Sequence, residues 1–472
     1  MDEASQTGLR RELGLFDSTM IVAGSMIGSG IFIVSADIAR TVGGAGWVLS
    51  VWLITGLFMV TAAVSYGELA GMIPKAGGQY VYLREAYGPL AGFLYGWTLF
   101  LVIQTGTIAA VAVAFAKYTG VLIPWFSERH ILFALGRFHV SAAQLLAIAV
   151  IAFLTVLNLR GLKLGKLVQN LFTVTKIASL CGLSLLVFYA LRRGPAWSTN
   201  FQDAWQACWQ HWQGGQVVSS EPLSGLKLWA AIGVAMVGSL FSATAWENIT
   251  YTAAEVRRPE RDIALALVLG TSLVTLLYLL ANVTYLAALP LDAIRGAPLD
   301  RVATAALSAL FGASGGVLMA ALIMVSTFGC NNGLILSGAR VYYAMAKHGL
   351  FFEKIGTLNK NAVPGAALAL QGVWAGLLCL SGAYGDLLDY VIFAVILFYA
   401  MTVAGIFVLR VKQPEAMRPH KAWGYPLAPA LFLLAAAAIG LDLLVYKPAY
   451  TWPGLGIVLL GIPVYFLRRR FV

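Results

Sequence analysis

Stretches of mostly apolar residues, each roughly 20 long, recur from one end of this chain to the other, and that is the length of helix that crosses a bilayer. About twelve can be marked, beginning near Ser18, Ala45, Leu90, Ser141, Leu167, Leu228, Ile263, Gly315, Ala366, Leu387, Leu427 and Gly454. Hydrocarbon offers no water to satisfy backbone N–H and C=O groups, so spanning segments of this kind must be helical. The recurrence sets the class: an all-α, multi-pass membrane protein, one domain over residues 1–472. Composition agrees, with 60% of residues apolar and 11% charged, against about 25% charged in a soluble domain. A water-soluble enzyme is excluded.

Charge placement orients the spans. With the N-terminus inside, 21 of the 32 Lys and Arg residues fall on cytoplasmic segments, among them Arg10, Arg160, Arg257, Arg340, Arg410 and Arg470. The opposite face holds ten, including Arg40, Arg137 and Arg295. Cytoplasmic loops carry the excess of cations, so both termini are expected in the cytoplasm. Read this way, the net charge of +11 reports topology, and nucleic acid is not an expected partner; the partners are the lipid bilayer and a substrate. The N-terminal MDEASQTGLRRELG lacks the pattern of a cleaved signal peptide. Cys181, Cys208, Cys330 and Cys379 are too scattered for a disulfide framework or a thiolate metal site. The segment from Gly194 to Lys227 carries Trp197, Trp205, Trp209 and Trp212 and reads as a surface cap or interfacial anchor.

The first span, STMIVAGSMIGSGIFIVSADIAR, has Gly24, Gly28 and Gly30 at its centre, with Ser25 and Ser29 between them. Such a run either lets helices pack closely or interrupts the helix and frees backbone groups that must face protein or a polar cavity. An interruption would leave a half-helix after Gly30 whose amide end suits an anionic group such as a carboxylate.

The residues around this run carry a resemblance. GSMIGSGIF, followed by YGELAGMIPKAGGQYVYLREAYG, resembles the first two helices and inner loop of the amino acid, polyamine and organocation (APC) transporter superfamily. NLFTVTKIASL resembles its fifth helix, FSATAWENITYTAAEVRRPERDIALAL its sixth, and STFGCNNGLILSGARVYYAMAKHGLF its eighth. The L-type amino acid transporters are the most similar branch. The implied fold is LeuT-type: two inverted repeats of five helices, about residues 18–193 and 228–410, with the first and sixth helices broken. Two peripheral helices follow, at about 427–467.

The resemblance also implies roles. Amides of Ser29 and Gly30, with neighbouring Met26, Ile27 and Gly28, hold the substrate's α-carboxylate. Carbonyls of Phe241, Ser242 and Thr244 hold the α-ammonium, and the Phe241 ring covers the bound substrate. Trp246 belongs to the same stretch. Thr244 and Ala245 stand where glycines are often found, so the sixth-helix break is less evident, and Thr244 narrows the pocket toward smaller side chains. Glu247 stands where L-type relatives usually carry asparagine. An ionisable group at that depth is a functional candidate: it binds a second amine, takes up a proton, or pairs with a neighbour and steadies the helix. Lys176, near the middle of the fifth span, matches a lysine that some members carry where sodium-coupled relatives hold a cation, which implies sodium independence.

Asn331 and Asn332, with Gly329 and Gly333, either line the cavity or bond helix to helix, as do Gln104 and Thr107. Glu68, and Glu255 beside Arg257 and Arg258, are read as inner-gate or loop ion pairs, with surface pairing the default. Animal L-type light chains use a cysteine in the third-to-fourth loop to attach a heavy subunit; GVLIPWFSERHILFALGRFHV has none, so no disulfide-linked heavy subunit is expected. The expected function is sodium-independent secondary transport of small or neutral L-amino acids across the cell membrane (plasma or inner) by alternating access, as exchanger or facilitator. A proton-coupled symporter and a polyamine or cationic amino acid transporter are the alternatives. No filter repeat marks a channel. The five histidines, His130, His139, His211, His348 and His420, fall in loops or at helix ends, and no acid/base or metal set marks an embedded enzyme. No catalytic residue, cofactor or metal is expected.

Overall fold

The computed structural model describes residues 8–135, 138–213, 216–381 and 384–469. Arg137 and Arg470, counted among the cations, and residues 1–7 at the N-terminus lie outside the described residues. Among the described residues, ten helices are long and apolar enough to cross a membrane. The first span is absent from that set because it is broken, as Leu15–Met26, the short turn Gly30–Phe32 and Ser35–Val42. The ninth, Gly365–Leu380, has only 16 residues.

The second and third spans are Ala45–Met72 and Pro89–Leu122, and the fourth and fifth are Ala142–Leu159 and Leu162–Leu185. The sixth runs Gly225–Ala243 and resumes at Asn248–Tyr251. The seventh, Pro259–Ala288, and eighth, Ala313–Lys347, are followed after the ninth by the tenth, Tyr384–Lys412. The eleventh, Leu427–Tyr446, and twelfth, Pro448–Arg469, complete the set. Most starts lie within four residues of the boundary expected from the apolar runs; the fifth begins at Leu162 and the twelfth at Pro448, five and six residues before the expected Leu167 and Gly454.

Packing follows ordinal position. Second packs on seventh, third on eighth, and fourth on ninth. The fifth lies on the eighth as the tenth lies on the third, and the first meets the fifth as the sixth meets the tenth. Two halves related by an in-plane pseudo-two-fold axis would pair in this way. The eleventh and twelfth spans stand outside, against the second, sixth and tenth and the start of the third.

Two short antiparallel hairpins, Ile131–Leu135 with Phe138–Ser141 and Cys208–Gln213 with Gln216–Pro222, decorate the connections. His139 and His211, read from sequence as loop residues, sit in these strands. The segment 194–227 forms a cap. Ala204 and Gln206 accept from the Gly46 and Gly44 amides, at 2.8 and 2.9 Å. Asn200 donates to the Leu286 and Leu289 carbonyls, both at 2.8 Å. The segment thereby closes one end of the second and seventh spans. Of its tryptophans, Trp205 is exposed and meets Trp47 edge-on, while Trp212 lies under Arg40.

Candidate substrate site

The first span is helical through Met26 and then leaves the helix, with Ile27 extended at φ −75°, ψ 91°. A helix that stops in mid-bundle leaves its last carbonyls without donors, and the segment that resumes begins with amides without acceptors. Here the carbonyls are all met by neighbouring spans. Lys176 Nζ of the fifth span donates to the Gly24 and Ile27 carbonyls at 2.5 and 2.8 Å, and to Ser326 at 3.4 Å. Ser326 of the eighth span donates to Ile27 or Gly28, Cys330 to Ser25 and Tyr278 of the seventh to Met26.

The amides are not met. Among the described residues, no backbone or side-chain acceptor bonds the N–H groups of Gly28, Ser29 and Gly30. The Ser29 hydroxyl is also buried without a partner. Every residue from Met20 to Phe32 is buried. Desolvated donors call for acceptors, and a row of backbone N–H groups suits an anionic one.

The sixth span breaks in the same neighbourhood. Its helix ends at Ala243, Thr244 is extended, and Ala245 takes a left-handed φ of 70° before the chain resumes at Asn248. The break thus forms without glycine, and alanine adopts the strained conformation because Trp246 and Ala243 are locked in the core on either side. The two breaks touch: a Cβ on Gly30 would overlap the Ser242 side chain and come within 3.2 Å of its Cα. The Tyr278 hydroxyl bonds both, donating to Met26 O at 3.1 Å or Ser242 O at 3.0 Å.

The three carbonyls expected to hold an ammonium therefore differ. Phe241 O already accepts from the Thr244 hydroxyl at 2.8 Å, and Ser242 O shares the single Tyr278 hydroxyl proton with Met26 O. Thr244 O accepts no hydrogen bond among the described residues. The Phe241 ring is half-buried.

Trp246 and Glu247 sit apart from this contact, in an aromatic cluster. Trp246 is fully buried, donates to Met59 Sδ and packs against Tyr66 and Tyr399. Glu247 accepts from Tyr399 at 2.5 Å and from Tyr251 at 3.4 Å; Tyr251 in turn meets the Tyr95 hydroxyl. No cation pairs with Glu247 among the described residues. No group of three His, Cys, Asp or Glu residues there could hold a metal.

Asn331 and Asn332 of the eighth span bond helix to helix. Asn332 donates to Gly165 O and Gln169, and accepts from Asn158. With its amide oriented to satisfy both ends, Asn331 bonds Ile108 O and Ala112 N. Gln104 donates to Leu334 O, and Thr107 to its own helix at Ile103.

Glu255 departs from the default reading of a surface pair with Arg257 or Arg258. It is buried in a two-pronged ion pair with Arg340, at 2.8 and 2.9 Å, and both side chains are 1% exposed. Its carbonyl also accepts from Glu12 and Leu13, strapping the N-terminal segment to the end of the sixth span. Glu68 is similarly buried, held by Arg410 and the Ala422 amide. Breaking a buried pair by neutralising one partner costs roughly 3–5 kcal/mol. Glu255→Gln is expected to lower the unfolding temperature measured in detergent, and the double variant Glu255→Gln/Arg340→Met to recover part of the loss. An unchanged single variant would show that the pair does not stabilise the fold.

Twelve spans, two broken helices in contact and a buried row of unmet amides describe a multi-pass membrane transporter. The chain belongs to the amino acid permease family, which its residues 13–461 match. It is 31% identical over 464 residues to the human large neutral amino acids transporter small subunit 2, covering 97% of this chain and 80% of that protein. It is 29% identical over 476 residues to the mouse b(0,+)-type amino acid transporter 1, covering 98% and 89%. The protein is accordingly a transporter of amino acids and not an enzyme.

Proposed function

We propose that the protein carries small neutral L-amino acids without sodium, by exchange or facilitated diffusion, through alternating access about the two breaks. The observation that carries this reading is the asymmetry at the first break: its carbonyls are capped by protein and its amides are not. The substrate's α-carboxylate takes the amides of Gly28, Ser29 and Gly30, with Met26 and Ile27 as the flanking turn. Its ammonium takes the Thr244 carbonyl, and the Phe241 ring closes over it. Ser242 is a contact of the first break and not a free acceptor. Although the human relative's name speaks of large neutral amino acids, the β-branched Thr244 supports smaller side chains here.

Lys176 supplies from the protein the positive charge that a bound sodium ion would bring, and this supports sodium independence. In this reading residues 18–193 and 228–410 are the inverted repeats, both termini are cytoplasmic, and the carrier works in the cell membrane. That relative is named a small subunit; here the third-to-fourth connection lacks a cysteine, so any larger partner is held without a disulfide at that place. Uptake of labelled alanine, serine and leucine into proteoliposomes tests the reading. Sodium-free uptake that rises with unlabelled amino acid inside supports it, and a strict sodium requirement overturns it.

A second reading is favoured by Glu247, a buried carboxyl whose side-chain partners among the described residues are phenols and not cations. A carboxyl without a countercharge is a natural proton carrier, which would make the protein a proton symporter. An inward proton gradient should then drive accumulation into empty vesicles, and Glu247→Gln should abolish that response. Equal gradient dependence in the Gln variant would remove Glu247 from the coupling. With both carboxylate oxygens bonded to tyrosine, a polyamine or cationic substrate gains less support.

A further inference from the structure

Asp442 is an ionisable side chain in the wall of the bundle that the transport site does not use. It lies four residues before the end of the eleventh span at Tyr446, or about 6 Å from that end at 1.5 Å per residue. Among the described residues it makes no ion pair and no hydrogen bond, and its Oδ2 is buried without a partner. Charged groups in a span ordinarily face a protein partner or an aqueous cavity. Asp442 instead lines a groove of about 630 Å³ between the second, sixth and eleventh spans.

The rest of the groove is apolar. Phe58 and Phe432 stack at 4.2 Å and form its floor. Leu57, Trp229 and Leu431 are more than half exposed along its walls. Gly233 of the sixth span makes room for the carboxylate, since a Cβ there would overlap it. One end of a long apolar slot thus carries a single unmatched negative charge, near the depth where headgroups begin and beside an exposed tryptophan suited to that interface.

We infer that this groove binds a phospholipid with a primary ammonium headgroup, of the phosphatidylethanolamine type. Its acyl chain lies along Phe58 and Phe432, and its ammonium meets Asp442. Charge complementarity selects the cation, and the carboxylate selects for N–H donors, which a choline headgroup lacks. The groove borders the half of the sixth span that ends in the break, so the lipid braces the segment that presents Thr244.

The test uses the full-length protein, purified in mild detergent and offered equal amounts of phosphatidylethanolamine, phosphatidylcholine, phosphatidylglycerol and a sterol. Lipid retained is read by native mass spectrometry. Preference for the ethanolamine lipid by about tenfold is expected, the size of one charge-assisted hydrogen bond. Asp442→Leu should bring the preference to parity, and Ala435→Trp, which fills the groove without touching the carboxylate, should reduce retention of both lipids. Equal retention by the wild type, preferential retention of phosphatidylglycerol or a sterol, or a preference that survives Asp442→Leu would overturn the inference. The wild-type comparison decides the matter even where a variant fails to fold.

Discussion

Gly30→Ala is expected to abolish transport, reducing uptake about a hundredfold. The added methyl has nowhere to go, because it meets the Ser242 side chain and, behind it, backbone at Cα. Overpacking of a tight core costs typically 1–3 kcal/mol, and here the strain falls where the break of the first span meets the end of the sixth-span helix. Displacing Gly30 also moves the amides of Gly28 and Ser29, which are the proposed receptor. Gly30→Ala combined with Ser242→Gly removes most of the clash and should recover at least about tenfold of the loss, a coupling that a double-mutant cycle isolates. Uptake by purified, folded protein in proteoliposomes measures all three variants. If the double variant is no better than the single, the contact between breaks is not what limits transport.

Lys176→Met should be comparably damaging, and for a different reason. The ammonium bonds two carbonyls of the broken first span and one of the eighth. Removing it leaves the buried Gly24 carbonyl unpaired and the Ile27 carbonyl with only the Ser326 hydroxyl, at about 1–3 kcal/mol for an unsatisfied buried acceptor. The break then has no fixed geometry, and transport should fall by about two orders of magnitude. Lys176→Ala adds a readout that a purely structural lysine would not move. It leaves a space edged by the Gly24, Ile27 and Ser326 carbonyls, and hard oxygen ligands suit a small cation. Sodium should therefore stimulate or stabilise Lys176→Ala but not the wild type. A Met variant that keeps more than half of the wild-type rate would show that the lysine does not organise the site.

The membrane spans were legible because their signal is long and local: twenty apolar residues stand out whatever they pack against. The first break was legible for a related reason, since Gly24, Gly28 and Gly30 crowd one turn and a half. The break in the sixth span was not, because Ala245 reaches a left-handed φ of 70° by being held between buried neighbours, and no residue type announces that. Pairings at long range were equally silent. Glu255 finds Arg340 at a separation of 85 residues, past two nearer arginines. Glu247 finds Tyr399 at a separation of 152. Asn331 and Asn332 have two chemically reasonable uses, and only the facing of the eighth span chooses between them. The hairpins at 131–141 and 208–222 lie in connections whose tryptophans and polar residues carry no clean alternation. Asp442 drew no notice in the sequence because its meaning depends on Gly233, two hundred residues earlier and on another helix.

The central claim is that unmet amides at Gly28, Ser29 and Gly30 receive a carboxylate. It is tested most directly by competition in sodium-free buffer. Labelled L-alanine is taken up by proteoliposomes in the presence of excess unlabelled L-alanine or of L-alaninamide, which keeps the ammonium and methyl groups and loses the anionic oxygen. L-alanine should suppress uptake and L-alaninamide should do so at least about tenfold less well, since charge-assisted bonds to backbone N–H groups are roughly twice as strong as neutral ones. Equal competition by the amide would contradict it.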